Sequence, residues 1–493
     1  MNSKNQSDRI LFGLKVKQIR QHNKLSFSDL SKKTGMSISY LNEIEKGKKF
    51  PKTEKLNALS EALGHSIEDL LDISLDDNLA PIADLLNSNF LNELPLDLFG
   101  IDLAKVVEII SNAPARVGAF ISTLLEISRN YALKEENFYF AALRSYLELH
   151  NNYFEDLENA AGRFADEFEI PAERPINHLV LRRILEQTYR YKIVDHGLDA
   201  YPELKHLRSV YVPSKKRLLL NSELSDEQKA FQYAKEIGFQ YLKLKERSQT
   251  SSIVKGEVFE EVLNHSRAIY FAMALFAPEP RFAEDLKHFF SQKSFDGRIL
   301  DELMDKYGVM PEGLYHRMTN ILPHSFEMNR LFFIRVVHDT ERQYFDIDRE
   351  LHLTHHHHPH GNGLHEHYCR RWVSISSLNA IQNNQSNGEQ PRLAVAQISK
   401  YYNTDDEYLC LTIVRPAHPS PAKSVSVTIG LLITPELKEQ IQFVDDPAIT
   451  RETVHTTCER CPIQDCKERV VPPSIVNKRR QTQLIHDRLA ELL

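Results

Sequence analysis

The stretch Phe27–Gly47, FSDLSKKTGMSISYLNEIEKG, decides how the front of this chain is organised. Phe27, Leu30, Met36, Ile38, Leu41 and Ile44 recur at helical intervals, and Gly35 interrupts them where two short helices must turn sharply. That spacing predicts a helix-turn-helix, with one helix over about residues 27–33 and a second opening at Ser37. In such a unit the first helix braces against the DNA backbone and the second lays its N-terminal residues in the major groove. Ser37, Ser39, Tyr40 and Asn42 are the outward, hydrogen-bonding positions, and the apolar residues between them, Ile38 included, are expected to face the core.

The neighbouring residues agree with this reading. Leu14, Val16 and Ile19 with the run KVKQIRQ make an amphipathic helix ahead of the motif. Phe50, Pro51, Leu56, Leu59, Leu63, Ile67, Leu70 and Leu71 supply later helices to close a small core. Residues 1–60 hold thirteen Lys or Arg against five acids, a net of +8 in a chain of net charge −7. Concentrated basic charge on one small domain is the footprint of phosphate binding. Lys17, Arg20, Ser28, Lys46 and Lys48 join the four outward residues of the second helix as candidate DNA contacts. The stretch IRQHNKLSFSDLSKKTGMSISYLNEIEKGKKFP resembles the Cro/cI-type (XRE) helix-turn-helix family, and residues 1–74 are assigned to that domain.

At 493 residues the chain is too long for one core and should hold two or three domains. Hydrophobic content of 42% and charged content of 26% are ordinary for a globular protein. The opening MNSKNQSDR has no apolar core and is not a secretory signal. Runs such as AIYFAMALFAP and TIGLLITP fall short of the ~20 residues that span a bilayer, so a cytoplasmic location without membrane contact is expected. Five cysteines make no disulfide framework, and clustered thiols in a reducing compartment point to metal.

Residues 75–170 read as a linker followed by long helices, which suit either dimerisation or an intramolecular bundle. A homodimer is expected, because one recognition helix reaches only a few base pairs. From about residue 175 the pattern is mixed. LRSVYVPSKKRLLLNSEL looks like a hairpin turning at Pro213 and Ser214, and SDEQKAFQYAKEIGFQYLKL like a helix capped by Ser225 or Asp226. This order resembles the ImmA/IrrE zinc metallopeptidases, whose hairpin precedes a helix carrying His-Glu-x-x-His. In that motif two His one turn apart bind zinc and the Glu acts as general base on the bound water. Here Lys235 and Phe239 stand where the two His belong, and Glu236 and Gly238 match. The following helix, HSRAIYFAMALFAP, puts Arg267 where the resemblance implies an acidic third ligand. A degenerate domain over residues 171–345, without peptidase activity and with no catalytic residue, is therefore expected.

A wider resemblance runs through IYFAMALFAPEPRFAEDL, KYGVMPEGLYHRMTNIL, LFFIRV, CRRW and CERCPIQDC, which look like the short-chain fatty-acyl transcriptional regulators. It implies a small effector, an acyl-coenzyme A or a related carbon metabolite. In CERCPIQDC, Cys458, Cys461 and Cys466 are spaced to converge on one structural zinc. Cys369 and His455 are both candidates for the fourth ligand, and the resemblance favours Cys369. Cys410 reads as a core residue of a strand. LHLTHHHHPHGNGLHEHYC packs eight His between His352 and His367 and reads as an exposed loop that binds transition metals opportunistically. RLAVAQISKYYN, EYLCLTIVRPA and KSVSVTIGLLITPEL suggest an antiparallel sheet in a C-terminal domain over residues 346–493, which closes on an amphipathic tail.

The expected fold is thus multidomain: an all-α helix-turn-helix domain, an α+β metallopeptidase-like domain and an α+β C-terminal domain. The expected function is a sequence-specific DNA-binding transcription regulator of carbon or short-chain acyl metabolism. Its rivals are a regulator with working ImmA/IrrE-type peptidase activity and a metal-responsive repressor using the histidine loop.

Overall fold

A computed structural model describes residues 4–71, 135–251, 258–339, 344–353, 366–384, 392–417 and 423–492. It divides into two compact units, Met1–Tyr146 with Lys255–Glu260, and Leu147–Val254 with Glu261–Leu493. Among the described residues no helix is long and apolar enough to cross a membrane. Of the expected helical stretch 75–170, residues 75–134 lie outside the described residues, while Glu135–Leu149 and Glu155–Glu167 are helices.

The N-terminal unit begins with five helices: α1 (Lys4–His22), α2 (Phe27–Thr34), α3 (Ile38–Glu45), α4 (Thr53–Leu63) and α5 (Ile67–Leu71). Ser26 and Asp29 form a capping box that starts α2, and the Ser26 hydrogen bonds lower the Asp29 pKa. Gly35 ends α2 at φ +69°, a left-handed conformation that a residue without Cβ adopts at no steric cost. The Ser37 hydroxyl accepts from the Tyr40 N–H at 3.2 Å and starts α3. Val16, Ile19, Leu30, Met36, Leu41, Ile44, Leu56, Leu59 and Leu63 are buried together. Ile38 departs from expectation. It is 50% exposed, because side chains lean toward a helix N-terminus and the first residue of α3 therefore projects past the edge of the core.

The larger unit contains two sheets. Strands β1 (Lys192–Val194), β2 (Ser209–Val212) and β3 (Arg217–Leu220) form the smaller one in the order β1-β3-β2, with β2 and β3 the expected hairpin. The capping box of Ser225 and Gln228 starts the helix Asp226–Tyr241 that follows. The larger sheet takes β4 (Leu331–Asp339), β5 (Tyr344–His352), β6 (Leu393–Tyr401), β7 (Glu407–Pro416), β8 (Lys423–Leu432) and β9 (Thr450–Val454) in the order β5-β4-β8-β7-β6-β9. Its ladder is antiparallel except for β6 with β9.

Both faces of this sheet are covered, which explains why its central strands read as continuous apolar runs. Phe333, Leu409, Leu411, Ile413, Val427 and Ile429 join the core of the preceding helices. Phe332, Ile334, Val336, Tyr408, Cys410 and Val414 pack instead with Trp372, Ile375, Leu378 and Ile381 of the segment around helix Val373–Asn384. The boundary expected at residues 345/346 falls inside β5, whose partner β4 belongs to the preceding segment. Residues 171–345 and 346–493 therefore share one sheet and one core.

Candidate functional site

On the helix-turn-helix, Ser28, Ser37, Ser39, Lys46 and Lys48 are exposed, and Lys17 and Asn42 are half-buried. Two candidates behave differently from expectation. The Arg20 guanidinium donates to Glu45 Oε1 and Oε2 at 2.6 and 3.0 Å and to the Leu25 carbonyl at 2.8 Å, and it lies 4.2 Å from the Phe27 ring centre. It is 9% exposed and ties α1 to α3, so its donors are committed inside the domain. The Tyr40 ring carries the Lys55 ammonium 4.0 Å above its centre, with Lys49 at 5.8 Å. Lys49 is also paired with Glu43 at 2.9 Å, which raises its pKa. Tyr40 thus gathers cations along the edge of α3 at a position expected to read bases.

In the second unit, the position of the peptidase motif is filled by an internal ion pair. Glu236, 2% exposed, accepts from Arg247 Nη2 at 2.7 Å and from the Tyr191 hydroxyl at 3.1 Å. The Arg247 guanidinium lies 3.9 Å from the Phe239 ring centre and 4.3 Å from that of Tyr211. Lys235 is fully enclosed and donates to the Ser251 carbonyl at 3.0 Å, and burial pushes its pKa down to about 7. Arg267 is half-buried, and the ring that faces Phe239 is His265, at 6.2 Å. Two residues on a helix are ~200° apart, so His265 and Arg267 lie on nearly opposite sides. Burial, with Lys235 next, holds the His265 imidazole well below its usual range. These residues do not fit a catalytic zinc. Phe239 has no donor atom, the Lys235 ammonium is spent on a carbonyl, and Arg247 places a positive charge beside the carboxylate.

The same unit holds an open-mouthed cavity of about 90 Å³ between the helices Asp226–Tyr241, Phe259–Phe276 and Pro311–Ser325 and the strands β4 and β5. One wall is apolar, with Phe231, Met273, Phe276 and Phe333. The other is cationic. Arg335 Nε and Arg415 Nη2 each donate to Glu312 at 3.1 Å, and Arg335 also pairs with Asp348. Burial would raise the Glu312 pKa, yet Arg415, Arg335 and Arg208 together hold it well below the usual carboxylate range. Arg208 and Arg349 line the cavity, and among the described residues neither guanidinium has a carboxylate within ion-pair distance. Burial pushes the Arg208 pKa down to about 10, whereas Arg349 is exposed. Gln228 Nε2 and His316 Nδ1, both from lining residues, are buried and have no hydrogen-bond partner among the described residues. Burial, then Arg349 and Arg317, push His316 down to about 4, so its ring is neutral. Glu227 lines the cavity from an exposed position. Such a wall is suited to an organic anion with an apolar body.

The cysteines of CERCPIQDC meet Cys369 through the backbone. The Cys458 N–H donates to the His367 carbonyl at 2.8 Å, and the Cys369 N–H to the Thr456 carbonyl at 3.1 Å. Arg469 donates to the carbonyls of Cys458, Cys461 and Ile463 and braces the turn. Cys369 feels Cys461 and Cys458 electrostatically, and burial pushes its pKa up to about 11. Among the described residues no group of three or more His, Cys, Asp or Glu side chains converges to hold a metal ion. His455 is half-buried with its Nδ1 3.2 Å from the Thr456 hydroxyl. Cys410 sits in the core, its pKa pushed up to about 12 by burial. His355–His358, His360 and His365 lie outside the described residues. His352 is buried at the end of β5, and His367 Nδ1 is 2.8 Å from Glu459.

Comparison with known proteins follows this division. Residues 13–72 match the helix-turn-helix domain family and residues 192–319 the IrrE N-terminal-like domain family. The chain therefore carries a DNA-binding helix-turn-helix domain followed by an IrrE-like domain, the composition of a DNA-binding transcription regulator. Among solved structures, a Mycobacterium tuberculosis transcriptional regulator is similar at 18% identity and a TM-score of 0.47, with 68% of this chain and 94% of that chain covered. No curated protein matches the chain.

The sequence reading missed Arg208, Gln228, Glu312, His316 and Arg349. They come from four separate places in the chain, and only Glu312 and His316, one helical turn apart, are connected by a local spacing.

Proposed function

We propose that this protein is an effector-responsive transcription regulator of short-chain acyl metabolism in which the IrrE-like domain binds a ligand and does not hydrolyse peptides. The observation that carries this reading is the cavity, with two guanidiniums lacking carboxylate partners on one wall and an apolar wall opposite. An acyl-coenzyme A supplies both an anionic part and an apolar acyl group. The filled peptidase position, with Arg247 on Glu236 and a lysine and a phenylalanine in place of the ligating His, supports the loss of hydrolysis. The regulator acts as a homodimer, and ligand binding shifts the population of the DNA-competent form, which requires different affinities for the two forms. The spacing of Cys458, Cys461 and Cys466 supports a structural zinc closed by Cys369, although among the described residues the four side chains do not converge on a metal site. Zinc content should fall when Cys458 and Cys461 are replaced by serine.

Thermal-shift titration with acetyl-, propionyl- and butyryl-coenzyme A tests the effector. At least one should raise the melting temperature of the full chain, and Arg208→Ala with Arg349→Ala should abolish the rise. No stabilisation by any of the three would remove the acyl-coenzyme A reading.

A further inference from the structure

We propose that Ile38 reads the C5-methyl group of a thymine in the major groove, making it a specificity-determining residue of the recognition helix. The inference rests on the DNA-binding reading above. Ile38 is the first residue of α3, directly after the Ser37 cap, and half of its surface faces solvent. Leu41 and Ile44 of the same helix turn inward and are buried, so α3 has an apolar side chain to spare where the small core has no use for it.

A singly exposed apolar residue is ordinary on a protein surface. Ile38 differs through its position, because the N-terminal residues of a recognition helix are those that reach base edges. In the major groove the thymine methyl is the apolar feature of a base edge, and apolar side-chain groups pack against it. Its surroundings fit this assignment. The Ser37 hydroxyl accepts the Tyr40 N–H and the Tyr40 ring lies under Lys55, so both present polar groups there and the apolar contact falls to Ile38. Asn42 lies one turn along and ~40° around the helix from Ile38, half-buried, and among the described residues its side-chain amide has no hydrogen-bond partner. An amide there is suited to an adenine edge, so Ile38 and Asn42 together favour A·T pairs.

The test uses the full chain. Selection from a random duplex library defines the bound sequence, and each thymidine in it is then replaced singly by deoxyuridine, which lacks only the methyl group. Losing the burial of one methyl should weaken wild-type binding about 4-fold at one position of each half-site. Ile38→Ala should bind the thymidine duplex correspondingly more weakly and be indifferent to uracil at that position, while Ile38→Val retains the effect. If no thymidine is sensitive, or if Ile38→Ala keeps the full uracil penalty, the assignment is wrong although the protein still binds DNA. If selection enriches no sequence at all, the DNA-binding reading itself fails.

Discussion

Replacing Arg20 by alanine would leave the Glu45 carboxylate buried between α1 and α3 without its bidentate partner. Removing one member of a buried pair costs about 3–5 kcal/mol, a large fraction of the stability of a small domain. Arg20→Ala should therefore lower the melting temperature of the helix-turn-helix domain by circular dichroism, and lose DNA binding through unfolding. An exposed phosphate contact would lose affinity with the melting temperature unchanged. Lys235 gives a pH signature. Its folded pKa of about 7 lies below the ordinary lysine value, so between pH 7 and about 10.5 the unfolded chain binds more protons and stability rises with pH. Below pH 7 both states are protonated and the burial penalty, on the order of 3–5 kcal/mol, is fully present. Lys235→Met should remove this rise. Comparing melting temperatures of the two proteins from pH 7 to 10 checks it, and parallel curves would show that the ammonium is not desolvated.

At the scale of elements, β4 and β8 show how one small residue sets the register of a two-faced sheet. Gly430 pairs with Phe332, and the Phe332 ring lies flat over it, so that an added Cβ would overlap the ring. Gly430→Ala should force the buried ring off its position at a cost of about 1–3 kcal/mol, measured as a lower denaturant midpoint. Adding Phe332→Leu should recover part of that loss. Helix α3 makes the complementary point about helix ends. Its interior follows the helical period, whereas Ile38 escapes burial because the core stops short of the first turn. The hairpin β2–β3 and the capped helix after it were legible because turn residues and a serine cap announce them locally. The exposure of Ile38 depends on where the core ends, which no period records.

At the scale of the whole molecule, the IrrE-like segment and the C-terminal strands are bound by a shared sheet. Truncation after residue 345 would remove β8, the hydrogen-bonded neighbour of β4, and leave Leu331, Phe333 and the helix faces under them uncovered. Such a fragment should fail to fold cooperatively or should aggregate, seen as loss of a single thermal transition and of solubility. A monomeric fragment with a sharp transition would mean that the IrrE-like segment builds its own core. What the residues alone determined here is the helix-turn-helix, its charge, and the absence of a His-Glu-x-x-His, because each is written in one unbroken stretch of at most about 60 positions. The commitment of Arg20 to Glu45, the pairing of Arg247 with Glu236, and the convergence of Arg208, Arg335 and Arg415 around Glu312 were decided by the fold. Charges placed tens of residues apart on different strands and helices interact only once packing has removed the water between them.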